Sequence, residues 1–250
     1  MRHRLPPGTR VFAQLKLARY GIGALLSQLE FARALHRAVR RADLPVVYSL
    51  GFAPRPRISF ASPLPVGVTS DGELVAMQLE RSMPSLELAR RLRRQLPEGL
   101  ELVELQVVAR SKRALFAGID LAEYVVDVGY QSAQAEAGEA VCGDAKQSLG
   151  ERAESAVRQL LNRAEVEVVR RTKKGERTVD IRPAVDRLEL CECDSDRFSL
   201  RMRVGIAPDA MAKPAEVIAA LAADLGELEV LHIHRVALLA SRRPRSQMRA

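Results

Sequence analysis

Apolar residues in this chain switch between two periods in a fixed order, and that order limits the fold more than any other feature. Val11, Ala13, Leu15 and Leu17 alternate with more polar neighbours across Val11–Ala18, the period of a half-buried strand. The spacing then becomes helical, with Leu25, Leu29, Ala32, Leu35 and Val39 recurring at helical intervals until Leu44-Pro45 stops the run. Ser27 stands three residues before Glu30, the spacing of a capping box, and Leu26 and Phe31 are placed for a hydrophobic staple. Extended segments follow, Val46–Tyr48 leading to Arg57–Ala61, then Gly67–Val68 and Leu74–Glu80. A second helix is expected over Pro84–Leu96, ended by Pro97-Glu98-Gly99, and Leu100–Ala109 closes the unit as a strand. Strand, helix, strand, strand, helix, strand is the βαββαβ order of a ferredoxin-like unit.

The second half repeats the order with additions. Glu123–Tyr130 reads as a strand, Gln131–Gly143 as an Ala/Gly/Glu-rich loop, and Ser148 with Glu151 caps a helix to about Arg163. Glu165–Thr172 and Arg177–Arg182 flank the turn Lys173-Lys174-Gly175-Glu176, and Leu188–Cys193 and Arg197–Val204 flank Asp194-Ser195-Asp196. A helix over Pro214–Leu225, ended by Gly226, precedes the last strand, Val230–Leu239. The expected fold is α+β: two tandem ferredoxin-like (βαββαβ) domains, the second with an extra β-hairpin. Residues 1–110 form the first, residues 111–240 the second, and 241–250 a disordered basic tail without core residues. A length of 250 residues suits two such domains.

No apolar run approaches the ~20 residues that span a bilayer, and the first residues lack the hydrophobic segment of a secretory signal. Three cysteines, Cys142, Cys191 and Cys193, give no disulfide framework and suit a reducing compartment. A cytoplasmic protein without membrane partners is expected.

Net charge is segregated. Residues 1–110 hold 17 Lys and Arg against 9 Asp and Glu, residues 111–240 hold 18 against 22, and 241–250 adds four arginines. The first half is therefore basic and the second mildly acidic, which bears on partners rather than on fold. Only six of the 39 basic residues are lysine. Arginine's planar fork suits bidentate phosphate recognition, although a GC-rich coding bias explains most of the excess. The absence of Trp, with four Tyr and six Phe, argues against a site built on many stacked aromatics.

On the first helix Arg33, His36, Arg37, Arg40 and Arg41 lie opposite the apolar stripe, and Arg90, Arg93 and Arg94 do the same on the second. Each helix alone reads as a solvated face. Two on one side of a sheet make a candidate phosphate-binding surface, which positions a nucleic acid without reading its sequence. In Gly51-Phe52-Ala53-Pro54-Arg55-Pro56-Arg57 two prolines stiffen a loop that carries Arg55 and Arg57. The Lys173-Lys174 turn, flanked by Arg170, Arg171 and Arg177, is a further basic candidate, and equally an ordinary soluble turn. The candidate RNA-binding residues are thus Arg33, His36, Arg37, Arg40, Arg41, Arg55, Arg57, Arg90, Arg94, Lys173 and Lys174.

Metal and catalytic chemistry are thinly represented. Cys191-Glu192-Cys193 and His232-Ile233-His234 fit no standard structural zinc spacing, and the expected topology keeps their strands apart. No CxxxCxxC cluster, Gly-rich phosphate loop or Ser/His/Asp pattern stands out. No metal or cofactor is expected.

Residues 11–80 resemble the radical-SAM-linked protein family, a bacterial group of uncharacterised function whose members occur fused behind a radical-SAM enzyme or as separate chains paired with one. The family pattern runs SHLD, an arginine-rich helix, RRAxLPVxYSxGFNPHPxISFAxPLPxGV and an acidic strand. Here it reads Ser27-Gln28-Leu29-Glu30, then Arg40-Arg41-Ala42-Asp43-Leu44-Pro45-Val46-Val47-Tyr48-Ser49-Leu50-Gly51-Phe52-Ala53-Pro54-Arg55-Pro56-Arg57-Ile58-Ser59-Phe60-Ala61. Pro63–Val68 and Thr69–Leu74 match the remainder, with weaker similarity around Arg170–Gly175 and Val179–Pro183. Gln28 replaces the usual His, Ala53 the usual Asn, and Arg55 the second His, so a titratable imidazole has become a permanent cation. The resemblance implies a radical-SAM enzyme as partner, and the charge pattern an RNA. The expected function is an RNA-binding accessory protein presenting a structured RNA, tRNA or rRNA, to that enzyme. Two alternatives are a metal-independent RNA endonuclease, with His36, Tyr20 or Tyr48 as its candidate groups, and a protein adaptor that binds no RNA.

Overall fold

The computed structural model describes residues 10–110, 114–130, 148–172 and 175–240. The expected loop at Gln131–Gly143, Lys173, Lys174 and the tail 241–250 lie outside the described residues. Within them the chain is α+β, with four α-helices and eleven strands. No described helix is long and apolar enough to cross a membrane. The described chain divides into two compact units, one reaching Ile119 and including Arg235–Ala240, the other taking Asp120–His234. The sequence pattern alone places the boundary after residue 110 and leaves the whole last strand with the second half.

The first unit runs β1 (Arg10–Arg19), α1 (Gln28–Arg41), β2 (Ile58–Phe60), β3 (Thr69–Leu79), α2 (Ser85–Arg93) and β4 (Leu100–Arg110). Central β1 is antiparallel to β3, with Leu15 opposite Val75, and to β4, with Leu15 opposite Leu105. β2 pairs with β3, Ser59 opposite Ala76, so these strands are ordered β4-β1-β3-β2. The strand period puts Ala13, Leu15 and Leu17 on one face, where they share a core with Phe31, Leu35 and Val39 of α1 and Leu88 and Leu92 of α2. Both helices therefore cover the same face. Burying each of these large side chains stabilises the unit by about 1.5–3 kcal/mol. On the opposite face Phe12 and Ala76 pack with Leu115.

Three local expectations change. The buried stripe of α1 is Phe31, Ala34, Leu35, Ala38 and Val39, while Leu25 and Leu29 are exposed and Ala32 lies half-buried beside it. Leu25 precedes the N-cap, and the small Ala34 and Ala38 let the helix settle on the sheet one residue around from the Leu29–Ala32 edge. The segment expected at Leu74–Glu80 is the end of a longer strand, β3, which starts at Thr69 and passes through Asp71-Gly72 at a register shift against β1, while Gly67–Val68 precede it outside the strand. Val46 and Tyr48 pair only as isolated bridges, with Leu79 and Pro56. The cap of α1 is as the spacing indicates: Ser27 Oγ accepts from the Glu30 N–H, and the Glu30 carboxylate accepts from the Ser27 N–H.

The second unit comprises β5 (Ile119–Tyr130), α3 (Leu149–Asn162), β6 (Glu167–Thr172), β7 (Gly175–Asp180), β8 (Val185–Cys193), β9 (Arg197–Ala207), β10 (Ala210–Met211), α4 (Pro214–Leu225) and β11 (Leu228–Ala240). β5 is antiparallel to β9, Val126 opposite Leu200, and β9 to β8, Leu190 opposite Leu200. β11 flanks β5 on its other side, so the four longer strands run β8-β9-β5-β11. Helix α3 packs against β8 and α4, and β6 with β7 forms a separate two-stranded sheet. Ser148 and Glu151 form the second capping box.

The last residues of β11 return to the first unit and carry Arg235, which is wholly buried. Its Nε donates to Glu73 Oε1 at 3.0 Å and its Nη2 to Glu73 Oε2 at 2.7 Å. Ser70 Oγ donates to the same carboxylate at 2.7 Å. A second buried guanidinium, Arg19, lies under the influence of both charges. Burial lowers its pKa, Glu73 partly restores it and Arg235 lowers it again. Arg19 donates to Gly23 O and Leu26 O, at 3.1 and 2.6 Å, and stands 4.8 Å from the centre of the Phe31 ring. Two buried cations thus share one buried anion, each relieved by carbonyls or a ring.

Candidate functional site

The segment after α1 is pinned to β3 before it reaches the site. The Val47 N–H donates to Gln78 O at 2.9 Å, the Gln78 N–H to Arg57 O at 3.0 Å, and the Arg57 N–H to Val47 O at 2.7 Å. Further out, the Ser49 N–H donates to Arg55 O at 2.8 Å and the Arg55 N–H to Ser49 Oγ at 3.0 Å. A five-residue turn, Leu50 to Pro54, closes this narrow hairpin. Gly51 has φ 118°, a region that glycine reaches without steric cost. Pro54 and Pro56 fix their own φ and offer no N–H, and Pro56 is buried. The backbone carrying Arg55 is therefore held in place.

Arg55 and Pro56 form one wall of an open groove of about 250 Å³. The other wall is the outer face of α1: Leu29, Ala32, Arg33, His36, Arg37 and Arg40. Spacing of three and four along the helix brings these four polar residues into register, as the period requires. Among the described residues no acidic side chain lines the groove. Its volume falls below the roughly 300–1,000 Å³ of enclosed small-molecule sites, so it suits an anion lying along the surface. His36 is half-buried there; burial first, then the charges of Arg55 and Arg40, push its pKa below the ordinary value. At neutral pH it is an uncharged imidazole among cations, able to donate and accept one hydrogen bond each.

The other sequence candidates lie elsewhere. Arg41 and Arg57 are exposed but do not line the groove, and neither do Arg90 and Arg94 of α2. Beside them Arg91 pairs with Glu87 at 2.5 Å and Arg93 donates to Leu102 O. Lys173 and Lys174 lie outside the described residues, but two of their flanking arginines are engaged. Arg170 makes a two-pronged pair with Glu216, both bonds at 2.8 Å, and Arg171 pairs with Glu176 at 2.9 Å. Burial alone would raise the Glu216 carboxyl, but hydrogen bonds from Arg170 and the Lys213 N–H hold it below the usual range.

Of the candidate acid–base groups, His36 is in the groove. The Tyr20 hydroxyl donates to Asp71, and chiefly through that bond its pKa is pushed up to about 12. Cys191 and Cys193 on β8 are separated by β9 and β5 from His232 and His234 on β11. Among the described residues no group of three or more His, Cys, Asp or Glu is placed to hold a metal.

Sequence reasoning did not identify Leu29 and Ala32 as part of the groove wall, having assigned both to the core. Nor did it identify the hairpin tip, where Leu50 and Phe52 are exposed. The available signal was Phe52 itself, next to a glycine and followed by Pro54 and Pro56.

A family described as "Uncharacterized protein conserved in bacteria" (DUF2344) matches residues 13–214. No curated protein matches the sequence. Similar solved structures include the "Crystal Structure of a Cbf5-Nop10-Gar1 Complex", 14% identical with a TM-score of 0.47, covering 90% of this chain and 48% of that one. Another is the "Structure of H/ACA RNP bound to a substrate RNA containing 2'-deoxyuridine", 13% identical with a TM-score of 0.48, covering 95% of this chain and 54% of that one. The chain spans about half the length of these two structural relatives.

Proposed function

We infer that this chain, which belongs to the family of uncharacterized proteins conserved in bacteria, is an RNA-binding accessory protein that presents a structured RNA, tRNA or rRNA, to a radical-SAM partner enzyme. One observation carries the RNA reading: Arg33, Arg37, Arg40 and Arg55, from two separate segments, converge on one open groove that no acid among the described residues lines. Guanidiniums at several successive positions suit a ligand with repeated phosphates better than a single anion. The partner rests on the resemblance of residues 11–80. The strand orders β4-β1-β3-β2 and β8-β9-β5-β11 support reading both units as ferredoxin-like, with β6–β7 inserted in the second. The setting is cytoplasmic.

A neutral His36 inside the groove favours one second reading, RNA cleavage without metal, because an unprotonated imidazole beside arginines has the form of a general base. Both readings meet one experiment. Arg33, Arg37 and Arg40 are changed together to Glu, and binding of bulk tRNA and rRNA is titrated from 50 to 300 mM salt. Each phosphate that is no longer neutralised takes about 0.7–0.9 off the slope of log affinity against log salt. The accessory reading predicts that affinity collapses, the slope flattens by roughly two or more, and the RNA is recovered intact from the wild type. Unchanged affinity and slope refute the groove, and cleavage abolished by His36→Gln selects the nuclease.

A further inference from the structure

Phe52 is fully exposed, at 112% of its reference surface, and Leu50, two residues before it, at 94%. Scattered exposed apolar residues are ordinary, but these two crown a single turn. The turn's base is fixed by the Ser49–Arg55 hydrogen bonds and the Tyr48–Pro56 bridge, and Pro54 lies within it. Phe12 and Phe31 in the same unit are buried, so a phenyl ring in water is a departure from how this unit uses phenylalanine. Phe52 also lies three residues from Arg55, so by chain length alone the two Cα atoms are within about 10 Å. A base at the tip and a phosphate in the groove can therefore belong to the same or adjacent nucleotides.

We propose that Phe52 is a stacking tip that, together with the arginine groove behind it, selects an unpaired nucleotide in the bound RNA. This deepens the RNA-binding reading above and rests on it. The bases of a duplex have both faces covered by neighbours, whereas a bulged or looped-out base offers an open π-face to an aromatic ring. One ring, not a row of them, takes one base. The ligand is thus a folded RNA with an unpaired nucleotide beside a phosphate run, rather than a single-stranded tract. The adjoining positive charge favours this occupant over an apolar protein surface, which would leave the arginines unmatched.

The chain contains no tryptophan, so Phe52→Trp installs a sole tryptophan at the tip, excited selectively at wavelengths where the tyrosines do not absorb. The probes are a hairpin RNA with one unpaired purine in its stem and the same hairpin fully paired. Quenching of the Trp emission by the bulged RNA and not by the paired one is expected. Phe52→Ala should weaken the bulged RNA roughly tenfold or more and leave the paired RNA and the salt slope as they were. If Phe52→Ala binds both RNAs like the wild type and Phe52→Trp is not quenched, the tip proposal is overturned, and the groove reading survives provided the triple Glu variant still loses binding. If the wild type binds neither RNA, both fall. Quenching instead by a co-purifying protein, with RNA without effect, would assign the tip to a protein interface and overturn the proposal.

Discussion

Replacing Glu73 with Gln tests the charge arrangement at the heart of the first unit. The carboxylate is 3% exposed, and Arg235 and Arg19 are both fully buried. Glu73→Gln keeps the shape and a hydrogen-bond acceptor but removes the negative charge, leaving two guanidiniums buried near one another. Breaking a buried ion pair from one side costs about 3–5 kcal/mol. A shared anion places this case toward the upper end. For a chain of this size each kcal/mol moves the melting temperature by about 2–4 °C, so the loss should be roughly 6–20 °C, read by circular dichroism in a thermal scan. Replacing both partners, Glu73→Leu with Arg235→Met, removes a cation along with the anion and should recover about 2 kcal/mol of that loss. If Glu73→Gln melts within a degree or two of the wild type, the carboxylate is not neutralising buried charge and the cluster is held together in some other way.

Two further outcomes are expected. His36 binds its proton less readily folded than unfolded, so its contribution to stability is complete above its ordinary pKa of about 6.5 and is lost as pH falls from there through the lowered folded value. Urea midpoints of His36→Gln should accordingly fall less between pH 7.5 and 5.5 than those of the wild type; an equal fall refutes the environment described for the groove. Gly99 has φ 80°, and a β-carbon there would sit 2.3 Å from Gly23 N and 2.6 Å from Tyr20 O. Gly99→Ala should destabilise by roughly 1–3 kcal/mol in a urea titration, and a neutral result would mean that the chain crossing at Gly23 is looser than described.

What could be read from the sequence was local. Helix α4 begins and ends at Pro214 and Leu225 as the pattern indicates, because Pro at the start and Gly226 after the end are strong punctuation. The cap at Ser27 was legible for the same reason. The face of α1 was not, since Ala34 and Ala38 add little to an apolar stripe and Leu25 adds to it from outside the helix. Asp71-Gly72 imitates a turn, yet its polar neighbours Ser70 and Glu73 are satisfied inside the fold, so the strand continues. At the site, the helical period indicated that Arg33, Arg37 and Arg40 share a face. Only tertiary structure shows that Arg55 faces them while Arg90 and Arg94 do not. Arg235 and Glu73 are 162 residues apart, and no spacing rule connects them.

That separation has a consequence during synthesis. A ribosome makes the first unit's helices and four strands long before it reaches position 235, at about 5–20 residues per second. The nascent first unit therefore waits, for seconds to tens of seconds, with Glu73 lacking Arg235 and its part of β3 lacking the strand end that completes it. Until then the Glu73 carboxylate has the Ser70 hydroxyl as a donor but lacks the Arg235 guanidinium. The arginine groove, built wholly from residues 29 to 56, needs none of the late segment and is in place first.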